Sequence, residues 1–139
     1  MLKSCGAVIF HKNEERKYII LKYAWGHWGF VKGKVEEGED DMQAVLREAE
    51  EETGLKAEQL NFIPGFTEKI NYFYTHERKR VYKEVTYFLA ESSSAKVKLS
   101  YEHTDYAWLP YEEAIEVITY ENDRKVLEKA ENFLRGTKK

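Results

Sequence analysis

The segment from Gly33 to Leu55 restricts the fold of this chain more than any other part of the sequence. Within it, the residues from Asp40 to Thr53 have the spacing of an amphipathic helix. On an ideal helix one face would gather the apolar side chains of Met42, Val45, Leu46 and Ala49. A second face would gather three carboxylates within about 100° of one another, those of Glu48, Glu51 and Glu52. The chain must bury the apolar face, and the acidic face then lies next to the buried one.

The crowding of acids on this helix indicates a metal site. A glutamate-rich helix face is ordinarily a solvated surface. Here Glu50, Glu51 and Glu52 are consecutive, with Glu48 one turn earlier, and like charges at such spacings each destabilise a helix by about 0.3 kcal/mol. Mg²⁺ takes oxygen ligands and binds through a few carboxylates together with substrate phosphates. A divalent cation would therefore remove the repulsion and give the acids a function.

The same residues match a known motif. Gly33 is followed after five residues by Glu39, and after seven more by residues 47–55, which read Arg-Glu-Ala-Glu-Glu-Glu-Thr-Gly-Leu. This pattern resembles the Nudix box, G-x5-E-x7-R-E-U-x-E-E-x-G-U, where U is aliphatic. All seven fixed positions agree, and Ala49 is small for an aliphatic position.

The resemblance implies the Nudix fold, an α/β (α+β) architecture in which a mixed β-sheet is sandwiched between α-helices. It also implies that Glu48, Glu51 and Glu52 hold Mg²⁺, with Mn²⁺ as a possible substitute, and that Glu39 and Arg47 brace the loop. The expected reaction is attack by an activated water on a phosphorus. Glu48 is the first candidate for orienting or deprotonating that water, and Glu102 is the second.

The rest of the chain predicts strands and helices in mixed order. Two hairpins are expected, one from Ala7–Phe10 and Tyr18–Leu21, the other from Ile70–Tyr74 and Val81–Leu89. A strand near Tyr106–Leu109 leads to Pro110, which is expected to open a helix over Glu112–Ile118. A last helix covers Asn122–Leu134, and its apolar face is expected to pack on the sheet through Val126, Leu127, Ala130, Phe133 and Leu134. We predict one domain, residues 1–139, with no repeat or linker.

Composition limits the partners. The formal net charge is −3 and the pI is about 5.9 over 139 residues, which disfavours bulk nucleic acid as a partner because that mode of binding needs clustered cations. No apolar stretch is long enough to span a membrane, and no signal peptide is recognisable. With Cys5 alone no internal disulfide can form. We expect a cytoplasmic monomer or weak dimer that acts on a small nucleotide.

Outside the box, the chain resembles the asymmetrical diadenosine tetraphosphate hydrolases of animal and archaeal type. The matching segments are His27-Trp28 with Lys32-Gly33, Asn71-Tyr72, Lys83-Glu84-Val85 with 87–90, and 99–103 with Trp108-Leu109. This resemblance implies that Glu102 approaches the metal, that Lys32 and Lys83 contact phosphates with help from His27, and that Gly33 belongs to the substrate loop. Tyr72 and Tyr120 match positions that stack on adenine, a contact worth roughly 1–3 kcal/mol.

Two departures leave the substrate open. Phe30-Val31 replace the usual prolines, and Lys34-Val35-Glu36-Glu37-Gly38 replaces His-Val-Glu-Pro-Gly. The leading hypothesis is cleavage of diadenosine tetraphosphate to ATP and AMP. The alternatives are removal of pyrophosphate from nucleoside triphosphates, damaged nucleotides or RNA 5′ ends, and a non-catalytic nucleotide sensor. The basic tip Arg78-Lys79-Arg80 fits a solubilising role better than a phosphate contact.

Overall fold

The computed structural model describes residues 2–136 and builds them around a mixed eight-stranded sheet. The strands are β1 Leu2–Lys12, β2 Arg16–Tyr23, β3 Trp28–Gly29, β4 Val31–Lys34, β5 Leu60–Phe62, β6 Glu68–His76, β7 Lys79–Ser92 and β8 His103–Leu109. β1 and β7 run parallel, and the other pairings are antiparallel. The order along the sheet is β3-β2-β1-β7-β5, with β4 paired to β1, β6 to β7 and β8 to β2.

Both predicted hairpins are confirmed. β1 pairs with β2 from Phe10 opposite Tyr18, and β6 pairs with β7 from Glu68 opposite Tyr87 to the tip. The second turn is shorter than the six-residue stretch the sequence suggests. It consists of Glu77 and Arg78, both with positive φ of 51° and 68°, which is the twist that a two-residue hairpin turn needs.

Three helices complete the fold: α1 Asp41–Thr53, α2 Tyr111–Val117 and α3 Glu121–Leu134. α1 begins with a capping box, in which the Gln43 N–H donates to Asp40 Oδ1 at 2.8 Å and the Asp40 N–H donates to Gln43 Oε1 at 2.9 Å. It ends at Gly54, whose φ of 78° is the left-handed conformation that glycine adopts at little cost. Pro110 stands at the N-cap of α2, one residue before the predicted first-turn position.

The helices lie on opposite faces of the sheet, which confirms the predicted sandwich. On the face that α1 covers, the α1 face, strand residues such as Ala7, Ile9 and Leu21 share a core with α1 residues Ala44, Val45 and Ala49. On the other face, the α3 face, residues such as Val8, Ile20 and Leu89 share a core with Ala114, Val126, Leu127 and Ala130 of α2 and α3. Each core forms because alternate strand residues point to opposite faces.

Several local expectations are wrong. The stretch from Trp25 to Gly33, where three glycines among aromatic residues suggest only backbone bends, contains β3 and most of β4, two strands too short to show a periodic pattern. The buried stripe of α1 includes Ala44, while Met42 and Leu46 are only half-buried. Phe133, predicted to pack on the sheet, is 42% exposed and meets Phe66 edge-on at a ring separation of 5.6 Å. Cys5 is fully buried, and burial raises the pKa of its thiol to about 12.

Across residues 2–136, none of the helices combines the length and the apolar character that a bilayer crossing requires.

Candidate active site

Strand β4 connects the two faces of the sheet at the candidate site. Val31 lies in the core beneath α1, whereas the next residue, Lys32, lines a cavity with Tyr72 on the α3 face. Gly33 returns to the α1 face, where its missing side chain leaves room for Glu48: a Cβ built on Gly33 would lie 1.9 Å from Glu48 Cδ. The alternation of β4 thus places a carboxylate on one side of the strand and a lysine on the other.

Glu52 and Glu48 form a close carboxylate pair. Glu52 is 3% exposed, and its Oε1 accepts a hydrogen bond of 3.4 Å from the backbone N–H of Lys32. Burial, followed by the hydrogen bond to Glu48 and the charge of Glu48, raises the pKa of Glu52 to about 10. The raised pKa favours the protonated form of Glu52, because burial and the neighbouring carboxylate both disfavour its charge.

Arg47 braces the loop before the helix, as predicted. Its guanidinium donates to both oxygens of Glu39, at 2.6 and 3.0 Å, and to the Lys34 carbonyl at 2.9 Å. It also reaches Glu48 at 2.8 Å and Glu51 at 3.3 Å. The Arg47 bonds, with a further bond from the Glu36 N–H, lower the pKa of Glu39 to about 2. The bidentate pair fixes the loop against the helix.

The carboxylates of α1 suit a divalent cation although they are not gathered around one point. Within residues 2–136 no three His, Cys, Asp or Glu side chains converge as a preformed metal cluster. Glu48 and Glu51 turn to Arg47, and Glu51 is 57% exposed. The pair formed by Glu48 and Glu52 nevertheless supplies hard oxygen donors, and a cation can replace the proton that the raised pKa of Glu52 retains. The donor set fits Mg²⁺ or Mn²⁺.

Glu102 is brought to this helix by the segment 98–100. The Lys98 N–H donates to the Thr53 carbonyl at 2.8 Å and the Ser100 N–H to the Glu52 carbonyl at 3.3 Å, so the segment pairs carbonyls that the end of α1 leaves open. Glu102 therefore lines a cavity of about 560 Å³ together with Glu51 and Glu52. The structure places the fourth predicted acid beside the helix.

A second cavity, of about 550 Å³ on the α3 face, gathers the predicted substrate-binding residues His27, Lys32, Tyr72 and Tyr120. Lys83 is opposite Tyr72 in the β6–β7 ladder, with its Nζ 5.8 Å from the Tyr72 ring centroid. Burial and then the charge of Lys32 lower the pKa of His27, which favours its neutral form. Two predicted residues do not line this cavity: Lys83 reaches it only through Tyr72, and Gly33 lies under Glu48.

Tyr23 links the two regions, and sequence reasoning missed it. Its ring stacks on His27 at 4.4 Å and lies 4.4 Å from His103, while its hydroxyl donates to the Phe30 carbonyl. Burial, and then the charges of Glu52 and Asp123, raise its pKa well above the usual value. Nothing in a strand-ending tyrosine distinguishes it from a packing residue, since its neighbours come from distant parts of the chain.

His103 and Asp123 were also missed. His103 is buried, its Nδ1 lies 3.0 Å from Ser100 Oγ, and its Nε2 has no hydrogen-bond partner and faces Glu52 Oε1 at 3.7 Å. Asp123 lines the second cavity from the first turn of α3, where it accepts a hydrogen bond of 3.2 Å from the Tyr87 hydroxyl, and burial raises its pKa. An acid in a first helical turn is too common to signal such a position.

Comparisons with known proteins agree with this geometry. The model of the NUDIX domain matches residues 3–130. The asymmetrical bis(5′-nucleosyl)-tetraphosphatase of Mus musculus is 35% identical over 98% of this chain and 97% of its own length. The crystal structure of a C. elegans Ap4A hydrolase binary complex superposes with a TM-score of 0.87 and 34% identity, covering 98% of this chain and 99% of that one. The E. coli dihydroneopterin triphosphate pyrophosphohydrolase matches with a TM-score of 0.74 and 26% identity over 91% and 92%. The resemblance seen in the sequence is thereby confirmed, and this chain belongs to the Nudix family of hydrolases.

Proposed function

We propose that this hydrolase cleaves a phosphoanhydride bond of a dinucleoside polyphosphate, with diadenosine tetraphosphate as the substrate and ATP and AMP as the products. The observation that carries the proposal is the bond between the Lys32 N–H and Glu52 Oε1 at 3.4 Å. Lys32 lines the aromatic cavity and Glu52 lines the acidic cavity, so this bond places the two cavities side by side. A base held in the aromatic cavity then lies next to phosphates held at the acidic cavity. The names of the mouse and C. elegans relatives support the same substrate class.

The aromatic cavity would hold one adenosine. Tyr72 and Tyr120 offer ring faces, and Tyr120 is 51% exposed and therefore free to stack. Reciprocal bonds between Trp28 and Thr119, at 2.8 and 3.1 Å, fix the loop before α3 and so fix Tyr120 near His27. Lys32 and Lys83 supply point charges for the phosphates that leave this cavity.

The acidic cavity would carry out the hydrolysis. Glu48, Glu51, Glu52 and Glu102 would hold Mg²⁺, with Mn²⁺ as a substitute. When bound, such a cation lowers the pKa of water and neutralises charge that develops on phosphate oxygens. Glu48 would orient the attacking water or take its proton, with Glu102 as the second candidate. The bonds from Arg47 hold Glu48 and Glu51, and the low exposure of Glu52 keeps bulk water away from its carboxylate.

The test is turnover of diadenosine tetraphosphate against deoxynucleoside triphosphates, with the products analysed in ¹⁸O-labelled water. We expect ATP and AMP, with a single labelled product that identifies the phosphorus attacked. Glu52→Gln should lower kcat by a factor on the order of 10³ while the protein still folds. Glu50→Gln is the matched control, because Glu50 lines the same cavity from the same helix but is exposed and is not a predicted metal ligand.

Two results would contradict the proposal. A higher kcat/KM for the triphosphates would assign the chain to pyrophosphate removal instead. If Glu52→Gln turned over substrate at the parental rate, the Glu52 carboxylate would have no role in the mechanism. If the parent itself turned over no substrate, the chain would be better explained as a nucleotide sensor.

A further inference from the structure

Two aromatic side chains next to the acidic cavity are almost fully exposed. Trp25 and Tyr101 are each 94% exposed, more than the other large exposed hydrophobic residues of the described chain. Single exposed aromatics are common on protein surfaces and require no explanation. These two differ because they lie on adjacent loops and on either side of a predicted catalytic acid.

Hydrogen bonding holds the two loops side by side. Tyr23 pairs with His103 at the end of the β2–β8 ladder, and the Ala24 N–H continues the pairing by donating to the Glu102 carbonyl at 3.1 Å. Trp25 follows directly, at the corner of a turn closed by a 2.8 Å bond from the Gly26 N–H to the Tyr23 carbonyl. Tyr101 directly precedes Glu102. Tyr101 therefore lines the acidic cavity next to Glu102, and Trp25 lies on the neighbouring loop, one residue beyond the bond between Ala24 and Glu102.

Tyr101 also lines that cavity, together with a cation. Of the residues that line this cavity of about 560 Å³, Lys98 is the cation, and the acids are Glu50, Glu51, Glu52 and Glu102. The size falls within the range of pockets that bind small molecules. A lysine beside an aromatic ring is the combination that recognises a nucleotide, because the ring stacks on the base and the ammonium attracts a phosphate.

The position of this cavity relative to the aromatic one limits the ligand. The bond from Lys32 to Glu52 joins the two cavities, so the carboxylates lie between Tyr72 and Tyr120 on one side and Tyr101 on the other. A mononucleotide has one base and can use only one of these aromatic surfaces. A ligand with a base at each end of a phosphate chain can use both.

We propose that Tyr101, with Trp25 beside it, stacks on the second nucleoside of a dinucleoside polyphosphate, and that Lys98 attracts the adjoining phosphates. The inference rests on the proposed function, which it extends from one nucleoside to both. Because both residues are exposed and stacking tolerates any base, this second site discriminates little between bases. The ligand class is a polyphosphate that carries a nucleoside at each end.

The experiment compares binding of two ligands in the presence of Mg²⁺ by calorimetry. One is a methylene-bridged analogue of diadenosine tetraphosphate that cannot be cleaved, and the other is adenosine 5′-tetraphosphate, which lacks the second nucleoside. Tyr101→Ala should weaken binding of the analogue about 5- to 100-fold and leave binding of adenosine tetraphosphate unchanged. Trp25→Ala should show the same selectivity with a smaller factor.

Two further variants control for indirect effects. Tyr101→Phe keeps the ring and should bind the analogue as the parent does. Tyr106→Ala removes an exposed tyrosine from β8 that lines neither cavity, and it should change neither affinity.

Equal weakening of both ligands by Tyr101→Ala, or no weakening of either, would overturn the inference. Binding and turnover separate this outcome from failure of the proposed function. A parent that binds the analogue through Tyr101 but does not cleave diadenosine tetraphosphate contradicts the function alone. A parent that cleaves it, with no selective effect of Tyr101→Ala, contradicts the second site alone.

Discussion

Gly33 shows how one absent side chain can serve catalysis. Its backbone is not in the left-handed region, so glycine is not needed for conformation. It is needed for space, because the Glu48 carboxylate lies where a Cβ would be. The first glycine of the sequence motif is therefore explained by its contact with a carboxylate on the facing helix.

We predict that Gly33→Ala lowers activity far more than stability. The new methyl group would lie 1.9 Å from Glu48 Cδ, and since the end of a glutamate side chain is flexible, Glu48 would rotate toward solvent. The free energy of unfolding should fall by about 1 kcal/mol or less, whereas kcat should fall by a factor on the order of 10². Steady-state kinetics and urea denaturation measure the two effects.

Gly29→Ala is the control for this change, since its Cβ would have an ordinary contact of 3.4 Å with Asp123 Oδ2 and would not approach Glu48. If Gly33→Ala kept parental kcat, Glu48 would not need the position it has against β4.

The acids of the site differ in how far the sequence could predict them. Glu48, Glu51 and Glu52 follow from helical spacing, because all three lie on one helix. Their unequal burial does not follow, since the exposure of each depends on β4 and on the loop before β8. Asp123 and Tyr23 could not be predicted at all, because α3 and β2 meet only in the folded chain.

At the scale of elements, α1 could be predicted and the attachment of α3 could not. The capping residues Asp40, Gln43 and Gly54 are local signals, so the bounds of α1 are confirmed to within one residue. α3 is fastened by Glu131, which accepts a 2.6 Å bond from the Tyr18 hydroxyl and a 2.7 Å bond from Arg135. The Tyr18 bond joins positions 113 residues apart, and no local pattern indicates it.

Glu131 gives α3 a pH-dependent attachment. Burial favours the neutral acid, but hydrogen bonds from Tyr18, Arg135 and Arg16 outweigh burial and hold the pKa of Glu131 below its usual value. A carboxyl whose pKa is lower in the folded state stabilises the fold above its unfolded pKa, and this stability is lost as the pH falls through the folded pKa. Glu131→Gln should therefore cost about 2 kcal/mol at neutral pH and progressively less in acid.

Urea denaturation of the parent and of Glu131→Gln, repeated from neutral pH down to about pH 3, measures this difference. Glu128→Gln changes an exposed acid on the same helix and should show no such dependence. A stability difference that stays constant with pH would contradict the role of the Glu131 charge.

At the scale of the whole molecule, the sandwich could be predicted because hairpins and amphipathic helices alternate along the chain. The division of the site between the two faces could not. It depends on β4, whose four residues are too few to show a pattern and yet place Lys32 and Gly33 on opposite sides. The site is therefore a product of sheet assembly, in which α1, β4 and the segment 98–102 contribute carboxylates or fix them.

Because these parts join only in the folded chain, a cation bound among them should stabilise the whole fold. A ligand that binds only the folded state at a hundredfold excess over its Kd adds about 2.7 kcal/mol, which for a chain of this size corresponds to a rise in Tm of roughly 5–10 °C. We expect Mg²⁺ or Mn²⁺ to give such a rise in thermal unfolding and EDTA to reverse it. Glu52→Gln should abolish the rise, and Glu50→Gln should retain it.

The same rise should depend on pH in a defined direction. Glu52 must lose its proton before a cation can use its carboxylate, and the raised pKa of Glu52 keeps that proton bound at neutral pH. Metal affinity should therefore increase with pH, and the metal-induced rise in Tm should be larger at about pH 9 than at about pH 7. A rise that shrank over this interval would mean that the cation binds elsewhere, because only ligands that must lose a proton make binding tighter as protons become scarce.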